Sequence, residues 1–345
     1  MSHSLAPGRR LRLGPVSSLW YPRPVLVATL LMTACLGLTW FLLVTGKIQL
    51  SPGEVVESLL GGPEASSRAG VLWTVRLPRA VTGFATGACL GLAGLVFQSL
   101  SRNALGSPEI IGMVTGAALG AVVGITVFQT SAWATSGAAM LGCAVASFLG
   151  YWLSGSGSAM ISRMVLIGIG LSAMWNAMSE LLLTRTDPNV AVGAQIWLVG
   201  SLKSRTWEHA LVPMLAFLAC LPVVLYCARH LTVLDLGTDM GSQIGLLVPR
   251  LTRTMVLAGV VLTGSAIAST GPISFVSLAA PQIARAMAGT RAVPVLTSAL
   301  TGGALLLFAE SLVQMMPEPL RAPVGIATSA LGGIYLLIFL LRRSL

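Results

Sequence analysis

The sequence predicts an all-α polytopic membrane protein with about ten transmembrane helices, on three observations. Hydrophobic residues make up 55% of the 345 residues, whereas charged residues make up only 9%. The hydrophobic residues are grouped into runs of roughly the 20 residues that a helix needs to cross a hydrocarbon core about 30 Å thick. These runs are continuous, whereas the strands of a membrane barrel alternate between apolar and polar residues.

The predicted helices form one domain. An arginine-rich tail at 1–23 precedes a single transmembrane domain at 24–345, because no polar stretch is long enough for a separate domain. The first apolar run is too long for the core of a signal peptide, so we expect it to remain as a helix. The eighth run is short and contains Pro281. The expected spans are 24–46, 80–100, 109–129, 132–154, 160–184, 209–228, 251–271, 273–289, 294–316 and 323–341.

The distribution of basic residues predicts the orientation. Most of the 21 Lys and Arg residues fall on one side if both termini are cytoplasmic, and cytoplasmic loops carry such an excess. We therefore expect a multi-pass protein of the cytoplasmic membrane with both termini and the 1–23 tail in the cytoplasm. The net charge of +10 is explained by these residues and by contact with membrane lipid, so nucleic acid is not an expected partner.

The five cysteines indicate neither a disulfide framework nor a metal site. Each lies inside an apolar run, and no two have the CxxC spacing of a metal or redox motif. We expect them to be small buried residues.

The sequence also contains a weak internal similarity. The segment from Pro108 to Gly120 resembles the segment from Pro323 to Gly332 in its small and apolar residues. Both segments open a predicted span, and the two spans run in opposite directions in the expected topology. Inverted repeats of this kind recur in transporter folds, so we predict an inverted internal repeat.

Three polar stretches are predicted to be long enough to hold structure of their own: 47–79, 185–208 and the cytoplasmic loop between the sixth and seventh spans. In 47–79, Ser51 is placed to cap a short helix that has Pro52 just inside its start. The cytoplasmic loop 229–250 is more apolar than a solvated loop should be. It is predicted to form two short apolar-faced segments broken at Gly237, with Thr238 as a cap and Asp239 in the first turn of the second segment.

Two acidic residues fall well inside predicted spans. A carboxylate at that depth is costly and faces protein or water rather than lipid. Each of the two, Glu180 and Glu310, is therefore a candidate either for a transport pathway or for a buried pair. Glu180 has Asn176 and Ser179 as neighbours on the fifth span.

Several motifs follow one another in order along the chain: Gln98-Ser99-Leu100, Gly106-Ser107-Pro108, Gly271-Pro272-Ile273-Ser274-Phe275, Ala280-Pro281-Gln282 and Leu331-Gly332-Gly333-Ile334-Tyr335. Together they resemble the permease family of binding-protein-dependent ABC importers for iron–siderophore complexes and vitamin B12, and they are most similar to its ferric siderophore members. The resemblance runs from about residue 50 to the C-terminus. Two positions depart from the family pattern: Ala104 stands where Pro is usual, and Gln282 stands where His is usual, so Gln282 is given no proton role. Glu310 matches an acid that is common at its place in the family, so the resemblance implies a structural pair for it.

The resemblance implies a ferric siderophore as cargo and an assembly of several subunits. These are a second homologous permease (a heterodimer being favoured over a homodimer), two ATP-binding cassette ATPase subunits and an extracytoplasmic siderophore-binding protein. ATP and Mg would be bound by the ATPase subunits, and this chain would bind no cofactor. A phosphate-binding loop needs Gly-Lys-Ser/Thr, but Gly46-Lys47 is followed by Ile48, so the chain is not predicted to be an enzyme.

The resemblance also implies roles for particular residues. Arg76, Arg79 and Arg321 lie at outer helix ends where the family docks its binding protein, although such arginines also snorkel to the interface. The family lines its pathway with its fifth and tenth spans, which points to Asn176, Ser179 and Glu180. It contacts its ATPase between the sixth and seventh spans, which points to Leu231, Leu234, Asp235, Leu236, Gly237, Thr238, Asp239, Ile244 and Gly245.

Two alternatives stay open. The same architecture serves cobalamin or haem import. A stand-alone secondary transporter or an integral membrane enzyme would need proton-relay carboxylates or a histidine-rich metal cluster in its spans. The sequence offers two acids and no intramembrane His for this purpose.

Overall fold

The computed structural model describes residues 9–13, 16–20, 22–46, 48–64, 67–155, 157, 160–234, 237–243, 245–289 and 293–343. Before the first helix, strands β1 (Arg9–Leu13) and β2 (Val16–Trp20) pair antiparallel within the predicted tail. From residue 22 onward the described chain is helical apart from its connections.

The predicted fold class is confirmed, because ten of the helices in the described residues correspond one to one with the predicted spans. Four further helices are short: α2 (Pro52–Gly61), α3 (Ser67–Val71), α8 (Pro188–Leu198) and α10 (Thr238–Gln243). A π-helical turn at Leu72–Arg76 joins α3 to α4, and a 3-10 turn at Glu318–Leu320 precedes α14. The ten are α1 (Pro22–Val44), α4 (Leu77–Ser101), α5 (Met113–Thr126), α6 (Ala132–Leu153), α7 (Met160–Arg185), α9 (Trp207–Leu234), α11 (Val248–Thr270), α12 (Val276–Ala288), α13 (Val295–Met315) and α14 (Val324–Arg343).

Seven of the helices in the described ranges are long and apolar enough to cross a membrane, and α5 and α14 are shorter apolar helices. The predicted spans 109–129 and 273–289 are wrong at their starts. The turn 108–112 precedes α5, and the irregular segment 271–275 precedes α12. Hydropathy does not reveal these segments because both consist largely of apolar residues that are shielded by protein.

The predicted boundary after the sixth span is also wrong. The span was expected to end at 228, but α9 continues to Leu234. The extension is explained by Leu231 and Leu234, which are buried and so continue the packed face of the helix beyond the apolar run. The first of the two predicted loop segments is therefore the end of α9.

The helix α4 forms the centre of the molecule. It is buried along most of its length and packs against α9, α11, α12 and α13. Its glycines allow backbones to approach closely: a methyl group on Gly87 would overlap the carbonyl of Gly302 on α13, and one on Gly94 would overlap the carbonyl of Ser277 on α12. Close packing through small residues is common in membrane helices, where lipid provides no hydrophobic drive for association.

We expect Gly94→Ala to prevent the assembly of this centre. Its methyl group would meet backbone rather than the end of a flexible side chain, so α4 and α12 would have to separate. Overpacking a close-packed interior costs about 1–3 kcal/mol or more. The matched control is Gly137→Ala on α6, where an added methyl meets no atom within 4 Å. The measurement is the yield of monodisperse protein after detergent extraction, and equal yields for the two variants would contradict the expectation.

Candidate translocation pathway and partner surfaces

The helix α7 carries polar residues on a surface that the described part of the chain leaves uncovered. Asn176 and Glu180 are exposed, although both lie on a helix apolar enough to span the membrane. Ser179 differs from its predicted neighbours because it is buried and its hydroxyl donates to the carbonyl of Trp175 at 2.9 Å. Since a carboxylate at this depth is not stable against lipid, the face with Asn176 and Glu180 requires water or another protein chain.

Two glycines, one on α7 and one on α14, are not required by close packing against any of the described residues. A methyl group on Gly170 or on Gly333 would meet no atom within 4 Å. Near the latter, α14 exposes Ile326, Ala330 and Ile334. Both helices therefore present surface that is free of contacts within the described residues. We call these surfaces the open faces of α7 and α14.

The predicted docking residue Arg76 is used inside the subunit. Its side chain is only 8% exposed, and its guanidinium donates to the carbonyls of Leu43, Val44 and Ile48. These carbonyls belong to the end of α1 and the residues after it, where a helix leaves acceptors without intrahelical partners. Arg76 thus caps the C-terminal end of α1, and little of its side chain remains for a docking partner.

Arg79, the second predicted docking residue, forms an ion pair with Glu310 of α13. The arginine side chain is 26% exposed, whereas the glutamate side chain is 1% exposed. The prediction that Glu310 forms a structural pair is confirmed. The pair joins the N-terminal end of α4 to the C-terminal part of α13.

Arg321 is the most available of the three predicted docking arginines. Its side chain is 33% exposed and lies 3.9 Å from the carboxylate of Glu318, and it donates to the carbonyl of Met316 at 3.0 Å. Docking stays a prediction for all three residues, and the geometry favours it for Arg321.

The capped helix predicted near Ser51 is confirmed as α2. Its Ser51 and Glu54 form a reciprocal capping box, and Pro52 opens the helix. The backbone N–H of Ser51 donates to the Glu54 carboxylate at 2.8 Å. This bond, with help from the Ser51 hydroxyl and from Arg68, holds the pKa of Glu54 below its ordinary value.

On the predicted ATPase side, the loop contains the short helix α10. Gly237 precedes the helix with a φ of +129°, and Gly245 follows it with a φ of +83°. These left-handed conformations favour glycine. Thr238 is the first residue of α10, with Asp239 next in its backbone. Asp235, Leu236 and Ile244, also predicted to couple to the ATPase, lie outside the described residues.

The family-like motifs meet in a polar network that sequence reasoning did not find. Gln98 donates to the carbonyl of Leu278 at 3.0 Å, and Arg285 donates to the Ser99 hydroxyl at 3.0 Å. Gln282 donates to the carbonyl of Ala104 at 2.8 Å and accepts from the Tyr335 hydroxyl at 3.1 Å. Ala104 and Gln282, the two residues that depart from the family pattern, are therefore joined by one hydrogen bond. The network ties the end of α4 to α12 and α14.

Glu109 is a half-buried acid that sequence reasoning did not single out. Its carboxylate accepts from the backbone N–H of Phe275 and from the Ser277 hydroxyl, both at 3.1 Å. The signal in the sequence was an acid inside a stretch predicted to span the membrane. We found no grouping of three or more His, Cys, Asp or Glu residues suited to a metal ion within the described ranges.

The chain is similar to a known family of transport proteins. The profile of the FecCD transport family matches residues 30–343. The chain is 36% identical to the ferric enterobactin transport system permease protein FepG of Escherichia coli (strain K12), over 93% of this chain and 97% of that protein. It is 32% identical to the iron(3+)-hydroxamate import system permease protein FhuG of Bacillus subtilis (strain 168), over 93% and 98% of the two chains.

The fold is shared with a solved structure. A metal-chelate type ABC transporter in an inward-facing conformation superposes with a TM-score of 0.80, over 92% of this chain and 99% of that one, at 24% sequence identity. The structural similarity therefore extends over nearly the whole permease.

Proposed function

The chain belongs to the FecCD transport family, and from this premise we propose that it is the permease subunit of an ATP-binding cassette importer for a ferric siderophore. The observation that carries the proposal is the similarity to FepG over almost the full length of both chains. The similarity covers 93% of this chain and 97% of that protein, so it is not confined to one part of either. We place the protein in the cytoplasmic membrane with both termini in the cytoplasm.

The open faces of α7 and α14 support a pathway shared with a second permease subunit. The polar face with Asn176 and Glu180 needs water or a partner chain, and both helices leave glycines uncovered. A bulky iron chelate needs a wide passage, and two such faces from two subunits would enclose one. A homologous but different permease is the partner that we favour, as a heterodimer.

The conformational changes of the ATPase subunits would be transmitted to this chain through α10. The ATPase subunits, which would bind ATP and Mg, would press on this helix from the cytoplasm. Because α10 lies between α9 and α11 in the chain and contacts both, its displacement would reach α4, on which these helices pack. The siderophore-binding protein would deliver its cargo at the outer side, near Arg321. ATP would act by shifting the permease between outward-open and inward-open states.

Reconstitution tests this function. We expect proteoliposomes that contain the two permeases and the ATPase to accumulate ferric siderophore only when ATP and the loaded binding protein are supplied. Vesicles with this chain alone should accumulate nothing, even with a proton gradient, because the chain has no phosphate-binding loop. Uptake by the chain alone, driven by the gradient, would instead support a secondary transporter.

The same vesicles distinguish the possible cargoes. Ferric enterobactin, ferric hydroxamate and ferric citrate are compared with cobalamin and haem, each delivered by its own binding protein. We expect accumulation of at least one iron chelate. Accumulation of cobalamin or haem alone would replace the siderophore proposal while leaving the importer architecture in place.

A further inference from the structure

The helices α5 and α12 begin in the same unusual way. Each is short, and each is preceded by a residue in the left-handed conformation: Gly112 with a φ of +86° and Phe275 with a φ of +69°. Glycine adopts this conformation without cost, but for a bulky residue such as Phe275 it is an outlier that the surrounding structure must hold in place.

Glu109 holds Phe275 in this conformation. One oxygen of its carboxylate accepts from the Phe275 N–H and from the Ser277 hydroxyl, each at 3.1 Å. Ser277 lies beside Gly94 of α4, so α12 begins within the depth of the membrane. Backbone groups at that depth need protein partners because lipid provides none. Glu109 therefore satisfies the N–H of the residue that opens a helix starting inside the bilayer, and it binds a side-chain hydroxyl in the first turn of that helix.

The turn that carries Glu109 also lies against α7. A methyl group on Gly168 of α7 would come within 2.7 Å of the Ile110 oxygen and within 2.6 Å of the Ile111 carbonyl carbon. The two backbones are thus in direct contact. On the other side, a methyl group on Gly332 of α14 would overlap the ring of Phe275.

These contacts form a continuous bridge from α7 through Glu109 and Phe275 to α14. We infer that Glu109 is a positioning residue that makes α7 and α14, the helices with the open faces, move together during transport. The inference rests on the proposed function, since it concerns how one permease subunit changes between its two states.

The contacts that join α14 to α12 are more numerous than those that join α7 to α12. Besides the Phe275 contact, α14 is tied to α12 through the hydrogen bond from Tyr335 to Gln282, which also reaches Ala104. In contrast, α7 packs on α5 and α6 and meets the start of α12 through the turn 108–112. Breaking the bridge at Glu109 should therefore separate the motion of α7 from that of α12, whereas α14 should stay joined to α12.

Distances between spin labels in the assembled transporter test this inference. One label is placed on α7 at Ala173→Cys or on α14 at Ala330→Cys, both exposed, and the reference label at Leu36→Cys on the exposed side of α1. The five native cysteines are buried and should not react. In the wild-type complex, ATP should shift both distances.

In Glu109→Ala, we expect the shift of the α14 label to persist and the shift of the α7 label to be lost, with more ATP hydrolysed for each siderophore transported. Glu109→Gln keeps an acceptor oxygen and should restore the α7 shift. Glu64→Ala, which removes an exposed carboxylate, should change neither distance.

Ser277→Ala provides a milder break if Glu109→Ala does not fold, because the Phe275 N–H keeps its acceptor, and it should reduce the α7 shift. Wild-type shifts of both labels in folded Glu109→Ala, or in Ser277→Ala if the former does not fold, would overturn the inference. A wild-type complex that shifts α7 and α14 together without taking up any siderophore would count against the proposed function and still support the bridge.

Discussion

Replacing Arg79 with Met is expected to destabilise the protein more than replacing its partner Glu310 with Gln. The Glu310 side chain is 1% exposed, so loss of the arginine leaves a carboxylate with no access to solvent. Removal of one partner from a buried pair typically costs about 3–5 kcal/mol. Arg79 is 26% exposed and can reorient toward water when Glu310 is neutral, so that variant should lose less.

The double variant Arg79→Met with Glu310→Met distinguishes the attraction between the two charges from the free-energy cost of removing them from water. Because replacement of both ions by apolar groups is often neutral, the double variant should be more stable than Arg79→Met alone. The measurement is the midpoint of thermal unfolding in detergent, followed with a thiol-reactive dye that reports exposure of the buried cysteines. The control is Arg68→Met, whose partner Glu54 lies at the surface and whose loss should matter little. A double variant as unstable as Arg79→Met would contradict this account.

Gly237→Pro is expected to abolish siderophore uptake while the permease still assembles with its partners. Proline requires a φ near −65°, whereas Gly237 has a φ of +129°, and the substitution also removes the bond from the Gly237 N–H to the Leu234 carbonyl at 3.0 Å. The connection between α9 and α10 would change direction, and α10 would be displaced from its ATPase partner. Hydrolysis stimulated by the loaded binding protein should then no longer be linked to uptake.

Gly155→Pro is the matched control for this prediction. Gly155 also has a positive φ, of +66°, and its N–H donates to the Trp152 carbonyl at 3.3 Å, but it lies in the connection between α6 and α7. Both variants are compared in proteoliposomes for ATP hydrolysis and for uptake of labelled ferric siderophore. Leu236→Asp should act like Gly237→Pro. Wild-type uptake in Gly237→Pro would show that this loop does not couple the two processes.

The sequence predicted the helical architecture well because hydropathy depends on local composition. It failed where a helix end is determined by distant contacts. The start of α12 is fixed by Glu109 from another part of the chain, and the apolar segment 271–275 resembles a continuation of the span. Similarly, α9 continues beyond its apolar run because Leu231 and Leu234 pack in the interior.

The sequence predicted several residues of the candidate site but not the contacts that these residues make. An arginine at an outer helix end has the same appearance in sequence whether it snorkels, docks a partner or caps a neighbouring helix. For Arg76 the deciding fact is the position of the α1 carbonyls, which no local pattern encodes. For Glu310, burial was foreseeable from its apolar surroundings, but Arg79 as its partner was not.

The separation of Arg79 and Glu310 in the sequence has a consequence for synthesis of the protein. Ribosomes deliver α4 to the membrane long before α13, and the charge on Arg79 has no carboxylate to meet during that interval. Until α13 arrives, Arg79 stays at the aqueous boundary without its partner, and α4 is not yet joined to α13. The arrival of α13 therefore completes the packing around α4, and nascent chains truncated before Glu310 should be preferred substrates of membrane quality-control proteases.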